Sequence, residues 1–355
     1  MRFPFNFINK RFASFTVGNV TENIVERSSY PLDKCKKILN TKKISVIGYG
    51  PQGKSQSLNL RDSGFDVVLG VRKGFGYEQA INDGWKDHID LFCIEEAVER
   101  GDIIQYLLSD IGQIRQWDNI YPYLKRGNTL YFSHGFGITY PEQTKIVPPD
   151  NIDVIMVAPK GAGMTVRDKF LNKEGINVSY SVHQDYTGEA KEKCLALAFS
   201  IGCGHAFETT FKKEVYSDLV GERCVLMGMI QGAFSAQYSV LREKGHSPAE
   251  AYNETVEEAL VSLWPLINNK GMDWLYSNCS TTAQRGALDW APVFENALKP
   301  IIQNCYKNVE NGTEVEKLIN INKNPNYNTI LNKELKNINN QELWQVAKEL
   351  RKLRV

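Results

Sequence analysis

Two pairs of carboxylates, each pair four residues apart, are the residues whose spacing most suggests chemistry. Asp218 and Glu222 would share a face of a helix, Glu214 would extend that row by one turn, and Glu254 and Glu258 repeat the spacing. Like charges on one helical face repel each other, so we expect a cation beside them. Oxygen ligands without clustered cysteine or histidine favour Mg²⁺ or Mn²⁺ over zinc. The alternative interpretation is two solvated acidic faces.

A glycine-rich turn, Gly48-Tyr49-Gly50-Pro51-Gln52-Gly53, lies between a β-rich run and a helix-compatible run. This context is typical of a dinucleotide-binding loop. The first glycine permits the tight turn, the second lets the pyrophosphate approach the backbone, and the third lets the helix pack on the strand. The alternative is a purely structural turn. Together with the acids, the turn predicts hydride transfer to an oxygen-rich substrate that metal ions polarise.

The end of the next strand indicates which coenzyme is used. An NAD site usually places an acid there for the ribose hydroxyls, about twenty residues after the glycines. This chain has Arg72 and Lys73 instead. Two cations without a carboxylate favour a 2′-phosphate, so the sequence predicts NADP(H); alternatively, the two side chains only solvate the sheet edge.

The surrounding pattern predicts an α/β Rossmann-like N-terminal domain with a parallel sheet, followed by an all-α C-terminal domain. The expected domains are residues 15–210 and 211–355, after a possible leader at 1–14. We expect Ser247 to cap a helix that begins at Pro248, and the Asn-rich stretch 320–340 to be a surface excursion. The predicted strands are 44–47, 66–71, 103–108, 129–132, 154–157 and 178–182, and the predicted helices are 214–241, 248–267, 289–309 and 342–353.

Composition narrows the function classes. The chain has 355 residues and a formal net charge of +1, so nothing indicates a nucleic-acid or acidic-membrane partner. Seven cysteines without a CxxC motif fit a reducing compartment. The uncharged stretch 224–241 is interpreted as a buried core helix rather than a membrane span. The first acidic residue is Glu22, and Arg2, Lys10 and Arg11 precede it among phenylalanines. This pattern favours a mitochondrial transit peptide, the alternative being a disordered terminus of a cytoplasmic protein.

Six motifs taken together resemble the ketol-acid reductoisomerase family, also called acetohydroxyacid isomeroreductase. The resemblance runs from about Phe15 to the C-terminus and is greatest to the short-form, fungal mitochondrial branch. The motifs are Gly48-Tyr49-Gly50-Pro51-Gln52-Gly53, Phe132-Ser133-His134-Gly135-Phe136, Val157-Ala158-Pro159-Lys160-Gly161, Glu208-Thr209-Thr210-Phe211, Asp218-Leu219-Val220-Gly221-Glu222 and Cys279-Ser280-Thr281-Thr282.

The resemblance implies two reactions at one site. An Mg²⁺-dependent alkyl migration in 2-acetolactate or 2-aceto-2-hydroxybutyrate precedes reduction by NADPH to the dihydroxy acid used for valine, isoleucine and leucine. With two Mg²⁺ per site, Asp218 would bridge both ions, Glu222 would bind one, and Glu254 would serve the second directly or through water. Glu258 would act in catalysis and in metal and substrate binding, with Ser280 also holding substrate.

By the same resemblance, His134 and Lys160 would act in catalysis beside the metals and the nicotinamide, and His134 would also bind coenzyme. Ser109 and Gly161 would join the glycine-rich loop in binding coenzyme. His134 could instead be a structural loop residue, Lys160 a surface lysine and Ser280 a helix cap. Interlocked C-terminal domains in a homodimer or larger assembly are implied too, with Glu254, Glu258 and Ser280 facing the partner's metals.

One loop departs from the family pattern. At residues 74–77, where many relatives place serines for the 2′-phosphate, this chain has Phe75 and Tyr77, of which Tyr77 could still offer its hydroxyl. Two other functions are kept open by the sequence. An NADP-dependent β-hydroxyacid dehydrogenase would not need metal, and a noncatalytic NADP-binding protein would tolerate loss of the acids.

Overall fold

A computed structural model describes residues 13–353 and divides the chain into two compact units, Met1–Val215 and Tyr216–Val355. Most of the possible leader therefore lies outside the described residues. The last two residues of that segment, Ala13 and Ser14, begin a strand.

The first unit is built on a ten-stranded sheet with the order β1-β2-β10-β9-β8-β7-β6-β3-β4-β5. Its strands are β1 (Ala13–Val17), β2 (Val20–Glu26), β3 (Ile44–Ile47), β4 (Val67–Gly70), β5 (Leu91–Phe92), β6 (Ile103–Tyr106), β7 (Thr129–Phe132), β8 (Asp153–Pro159), β9 (Ile176–Gln184) and β10 (Cys203–Glu208).

The predicted parallel sheet is confirmed for six neighbouring strands, from β8 to β5 in the sheet order. Strand β9 runs antiparallel to β8, and β2 runs antiparallel to β10. The sequence pattern did not predict strands β1, β2, β5 and β10. Because β3 lies between β4 and β6, the strand order reverses beside β3. Ligands of such sheets bind at this switch point, outside the carboxyl ends of the strands.

Helices cover both faces of the sheet, and buried side chains form one cluster on each face. Neighbouring strand residues alternate between the clusters, as Ile103 and Ile104 do, because successive side chains point to opposite faces. The helices are α1 (Leu32–Ile38), α2 (Pro51–Asp62), α3 (Phe75–Asn82), α4 (Ile94–Arg100), α5 (Asp110–Ile120), α6 (Phe136–Thr139), α7 (Pro141–Thr144), α8 (Gly163–Leu171), α9 (Ala190–Ser200) and α10 (Phe211–Arg223), the last of which continues into the second unit.

The second unit is helical, as predicted. Its helices are α11 (Gly228–Glu243), α12 (Pro248–Tyr252), α13 (Trp264–Lys270), α14 (Met272–Ser277), α15 (Thr281–Glu310), α16 (Thr313–Lys323), α17 (Tyr327–Asn339) and α18 (Glu342–Arg351), with π-helical turns at Asn253–Glu257 and Ala259–Leu263. Its small core includes Phe234, Tyr238 and Tyr252 with Leu343. Ser247 caps α12, as expected. The stretch 320–340, expected as a surface excursion, has no buried residue, but most of it is helical because α17 occupies it.

The apolar stretch 224–241 is not the buried core helix that the sequence suggested. Only Phe234 and Tyr238 are buried in α11. The segment Phe211–Glu243 is long and apolar enough to cross a membrane by length and composition, yet only 17% of its most apolar window is buried. One such helix is weak evidence for a membrane span, and an apolar helix that packs against another subunit has the same composition.

Candidate active site

The glycine-rich loop connects β3 to α2 at the switch point, and its three glycines have different surroundings. Gly48 has a φ of +100°, and a Cβ there would lie 2.9 Å from the carbonyl oxygen of Leu107. A Cβ on Gly53 would lie 2.2 Å from the carbonyl oxygen of Gly48, whereas one on Gly50 would meet nothing within 4 Å. The absence of a side chain at Gly53 therefore lets α2 pack closely against the turn. At Gly50 the space beside the start of α2 is open, and backbone amides there can bind phosphate.

The other loop side chains have structural partners. Tyr49 is 5% exposed, and its hydroxyl donates to Asp83 at 2.9 Å and accepts from the Trp85 indole at 3.1 Å. These two hydrogen bonds therefore hold the Tyr49 side chain in the core. Gln52 donates from Nε2 to the carbonyl oxygen of Gly161 at 3.1 Å. This bond brings two segments predicted to bind coenzyme into contact.

The residues predicted to choose the coenzyme lie after β4. Arg72 is exposed, and the Lys73 ammonium lies 3.6 Å from the Tyr77 ring centroid and 3.3 Å from Asp87 Oδ2. Hydrogen bonding to the Tyr77 hydroxyl and to Lys73 lowers the pKa of Asp87, although burial acts in the opposite direction. The sequence pattern did not single out Asp87, whose carboxylate lies beside Lys73 after β4 in addition to the two cations.

The ends of β7 and β8 bring His134 and Lys160 to one buried acid, Glu214 on α10. Lys160 Nζ lies 3.0 Å from Glu214 Oε1, and His134 Nδ1 lies 3.5 Å from Oε2. The Glu214 side chain is 2% exposed. Burial alone would raise its pKa, but the His134 hydrogen bond and the Lys160 charge outweigh burial and lower the pKa. Glu214 is therefore the charged centre of a three-residue cluster.

Asp218 and Glu222 continue the row of Glu214 along α10. Helical spacing places them one and two turns further on, on the same face. Asp218 is half-buried and Glu222 is exposed. Two carboxylates one turn apart, at least partly open to solvent, are a donor set that suits a hard divalent cation.

The remaining predicted residues are spread over other elements. Glu254 and Glu258 are exposed and lie on and directly after a π-helical turn, a feature that often marks functional sites. Among residues 13–353, neither acid belongs to a cluster of three or more side chains that could hold a metal. Ser280 caps α15 by accepting from the Ala283 amide at 3.2 Å, and Ser109 likewise caps α5 at the end of β6.

Three features of this site were not singled out from the sequence. Glu214 was noted only as part of an acidic row, and its role as partner of His134 and Lys160 depends on contacts distant in the chain. Gln56 is wholly buried and bonded to Ser133 and Tyr131. The motif containing Ser133 could have pointed to it. A Cβ on Gly163 would lie 2.1 Å from the Pro51 carbonyl oxygen, so α8 packs directly on the start of α2.

A dinucleotide loop at the switch point of a parallel sheet, with a Lys-Glu-His cluster at the neighbouring strand ends, defines a dinucleotide-dependent oxidoreductase. Comparison with known proteins gives the family. A model described as "Acetohydroxy acid isomeroreductase, NADPH-binding domain" matches residues 38–206, and one described as "Ketol-acid reductoisomerase, C-terminal domain" matches residues 211–355. The chain belongs to the ketol-acid reductoisomerase family, which confirms the resemblance seen in the motifs.

Individual relatives agree. The chain is 53% identical over 338 residues to "Ketol-acid reductoisomerase (NAD(+))" of Desulfosudis oleivorans, covering 95% of this chain and 96% of the relative. It is 52% identical to "Ketol-acid reductoisomerase, mitochondrial" of Saccharomyces cerevisiae, covering 95% and 86%. The structure of an NADH-preferring ketol-acid reductoisomerase from an uncultured archean aligns with a TM-score of 0.83 at 33% identity, covering 94% and 99%. The chain is thus an enzyme of branched-chain amino-acid biosynthesis.

Proposed function

We propose that this chain carries out an Mg²⁺-dependent alkyl migration in 2-acetolactate or 2-aceto-2-hydroxybutyrate, followed by reduction of the rearranged 3-hydroxy-2-keto acid by NADPH. The observation that carries the proposal is that the acids of α10 differ in burial and in ion pairing. Glu214 is buried and engaged with Lys160 and His134, whereas Asp218 and Glu222, on the same face, are at least partly open to solvent.

Asp218 and Glu222 are the residues of α10 that would hold the metal ions. Their all-carboxylate chemistry fits Mg²⁺. Bound Mg²⁺ supplies Lewis-acid polarisation of the substrate's carbonyl and hydroxyl oxygens. Glu254 and Glu258, the second carboxylate pair, would complete the set from a partner subunit.

The chain's own residues hold and place protons around the substrate. Glu214 fixes the Lys160 ammonium, whose side chain is 41% exposed and can donate to a substrate oxygen. The same carboxylate orients the His134 ring, which is further held by stacking on Phe136 at 6.2 Å between ring centroids. Glu258 and Ser280 would bind the substrate's carboxylate and hydroxyl groups.

The test is a coupled pair of assays. Purified protein is incubated with Mg²⁺, NADPH and either 2-acetolactate or the rearranged keto acid, and loss of NADPH absorbance is followed. We expect turnover of both substrates, with Asp218→Asn and Glu222→Gln losing it. The matched control Asp289→Asn changes an acid of α15 that is paired with Arg285 at 2.5 Å. Turnover of 2-acetolactate that survives chelation, or that survives both α10 substitutions, would refute the metal proposal.

For the coenzyme, we propose NADPH. Arg72 and Lys73 provide two cations at the end of β4, where a 2′-phosphate would lie, and the matching N-terminal family model is described as NADPH-binding. Two facts weigh against a strict preference. Asp87 lies against Lys73, and the relatives from Desulfosudis oleivorans and the uncultured archean bear NAD(+) and NADH-preferring in their names.

The preference is measured as the ratio of kcat/KM for NADPH to that for NADH. We expect Arg72→Ala to lower this ratio about tenfold, a loss of about 1.4 kcal/mol, while the NADH value changes little. Arg126→Ala is the control, because Arg126 precedes β7 and so lies at the opposite, amino end of the strands. A wild-type ratio near one that Arg72→Ala leaves unchanged would show that the site does not read the 2′-phosphate.

A homodimer or larger assembly of this chain is the third part of the proposal. Helix α15 has 30 residues, of which Val309 alone is buried. Trp290, Phe294 and Ile301 are each more than 60% exposed. Large exposed apolar faces mark interaction surfaces, and a second copy would bring its Glu254 and Glu258 to the metals. We expect Phe294→Asp to give inactive monomers in sedimentation, with Lys299→Asp as control; an active Phe294→Asp monomer would contradict the proposal.

We further propose that the enzyme works in the mitochondrial matrix. The basic, acid-free start of the chain and the mitochondrial relative from Saccharomyces cerevisiae support this location. Residues 1–21 fused to a fluorescent reporter should direct it to mitochondria, and a reporter that stays in the cytosol would argue for the cytoplasmic alternative.

A further inference from the structure

A buried glutamine connects the coenzyme loop with the strand end that carries His134. Gln56, on α2, is 0% exposed. Its Oε1 accepts from the Tyr131 hydroxyl at 2.7 Å, and its Nε2 donates to Ser133 Oγ at 2.7 Å and to Gln52 Oε1 at 3.0 Å. Both ends of the amide are therefore used, and Ser133 is the residue directly before His134.

The connection continues to Lys160 and closes on itself. Gln52 Nε2 donates to the carbonyl oxygen of Gly161, which directly follows Lys160. Lys160 and His134 meet again at the Glu214 carboxylate. We call this closed path, which runs through Gln52, Gln56, Ser133, His134, Glu214, Lys160 and Gly161, the amide ring.

The chemistry of the amide ring argues against simple filling of the core. Burying an amide has a desolvation cost that apolar side chains of the same size avoid. The donors also run in one direction, from Gln56 to Gln52 to Gly161, so each bond fixes the orientation of the next amide and the bonds reinforce one another. Such a path holds the ends it connects at a defined separation.

We propose that Gln52 and Gln56 are positioning residues, which set His134 and Lys160 relative to the coenzyme loop through the amide ring. This inference rests on the proposed function, in which His134 and Lys160 act on the substrate beside the coenzyme. Gln52 lies within the loop and Gln56 one helical turn beyond it, so the ring transmits the position of the bound coenzyme to both polar groups.

Substitution of Gln56 by methionine removes every bond of its amide and keeps the side-chain length. Gln105→Met is the matched control. Gln105 is also 0% exposed and lies on β6, which pairs with the Tyr131 strand β7. Among residues 13–353, its side-chain amide atoms have no hydrogen-bond partner. Both variants exchange a buried amide for a thioether in one core, but only Gln56→Met opens the ring.

The experiment compares the full-length proteins by hydrogen exchange and by kinetics. In Gln56→Met we expect faster exchange in residues 133–137 and 160–163, and a kcat about tenfold lower with a coenzyme dissociation constant within threefold of wild type. Ser133→Ala combined with Gln56→Met should be no worse than Gln56→Met alone, because both cut the same bond. Gln105→Met should match wild type in exchange and kcat.

Two results would overturn the proposal. Either Gln56→Met behaves as wild type in exchange and kcat, or Gln105→Met shows the same losses as Gln56→Met. Failure of the proposed function is distinguishable, since a wild-type protein without 2-acetolactate turnover would refute that function while the exchange comparison still tests the ring.

Discussion

Two alanine substitutions in the coenzyme loop should separate folding from binding. In Gly53→Ala the new Cβ would lie 2.2 Å from the Gly48 carbonyl oxygen, about 0.8 Å inside the closest separation that real Cβ atoms show. Overpacking of this kind costs about 1–3 kcal/mol, of which the better helix propensity of alanine returns about 0.5–1. We expect a net loss of about 1–2 kcal/mol, which lowers Tm by roughly 2–8 °C in a unit of this size.

Gly50→Ala should have the opposite profile. Gly50 has a φ of −76°, which alanine adopts freely, and its Cβ would meet no atom within 4 Å. Stability should therefore stay within about 0.5 kcal/mol of wild type. The methyl group would occupy the approach of the pyrophosphate, and loss of one charge-assisted bond of about 1.5–3 kcal/mol weakens coenzyme binding roughly 10- to 150-fold.

The two quantities are measured separately, Tm by circular dichroism and coenzyme affinity by isothermal titration calorimetry. Gly204→Ala is the control, because Gly204 lies near the amino end of β10 and its Cβ would have only ordinary contacts, the nearest at 3.6 Å. Coenzyme affinity of Gly50→Ala within twofold of wild type would refute the assignment of this opening to the pyrophosphate.

Three further predictions concern single groups. Lys193→Met leaves the wholly buried Asp153 without its ammonium 3.0 Å away and should destabilise the fold by about 3–5 kcal/mol at pH 7 in denaturant titrations. Burial alone would raise the pKa of Asp153, but its hydrogen bonds to Thr187 and the Lys193 ammonium outweigh burial and lower that pKa. The stability advantage of the wild type should therefore be present above the ordinary carboxyl pKa and shrink as pH falls below it. An equal difference in unfolding free energy at pH 7 and at pH 2.5 would be contrary evidence. Exposed Cys93 should react with iodoacetamide in the native enzyme while Cys194, whose pKa burial raises to about 12, does not, and equal labelling by mass spectrometry would contradict this. Ser247→Ala should lower the free energy of unfolding by about 1 kcal/mol because it removes the cap of α12, whereas Ser247→Asp should keep the cap and the stability. A Ser247→Asp variant less stable than Ser247→Ala would exclude a capping role.

The sequence predicted best what depends on near neighbours. The strands 44–47 and 129–132 were placed to the residue because each is a short apolar run between turn residues. The glycine loop was predictable for the same reason, since its meaning lies in a strand, a turn and a helix that are adjacent in the chain. The cap at Ser247 likewise involves atoms only three residues apart.

Other elements are determined by distant partners. Strand β2 is mostly exposed and polar, and it exists because it pairs with both β1 and β10. Helix α17 carries an apolar stripe of Ile330, Leu331, Leu335 and Ile338 at helical spacing, but none of its residues is buried and its many asparagines masked this pattern in the sequence. The bonds of Gln56 join α2 to a loop 77 residues later, which no local pattern encodes.

Glu214 shows how long-range contacts change the chemistry of a local pattern. In the sequence, Glu214, Asp218 and Glu222 are three like charges in one row. In the folded chain, two strand ends supply Lys160 and His134 to the first of them, so its charge is matched within a buried cluster. One acid of the row is therefore an ion-pair partner inside the first unit, whereas Asp218 and Glu222 are the two that we propose as metal ligands. Had Glu214 lacked these partners, its burial would have favoured the neutral acid, which holds an ammonium group far less firmly than a carboxylate does.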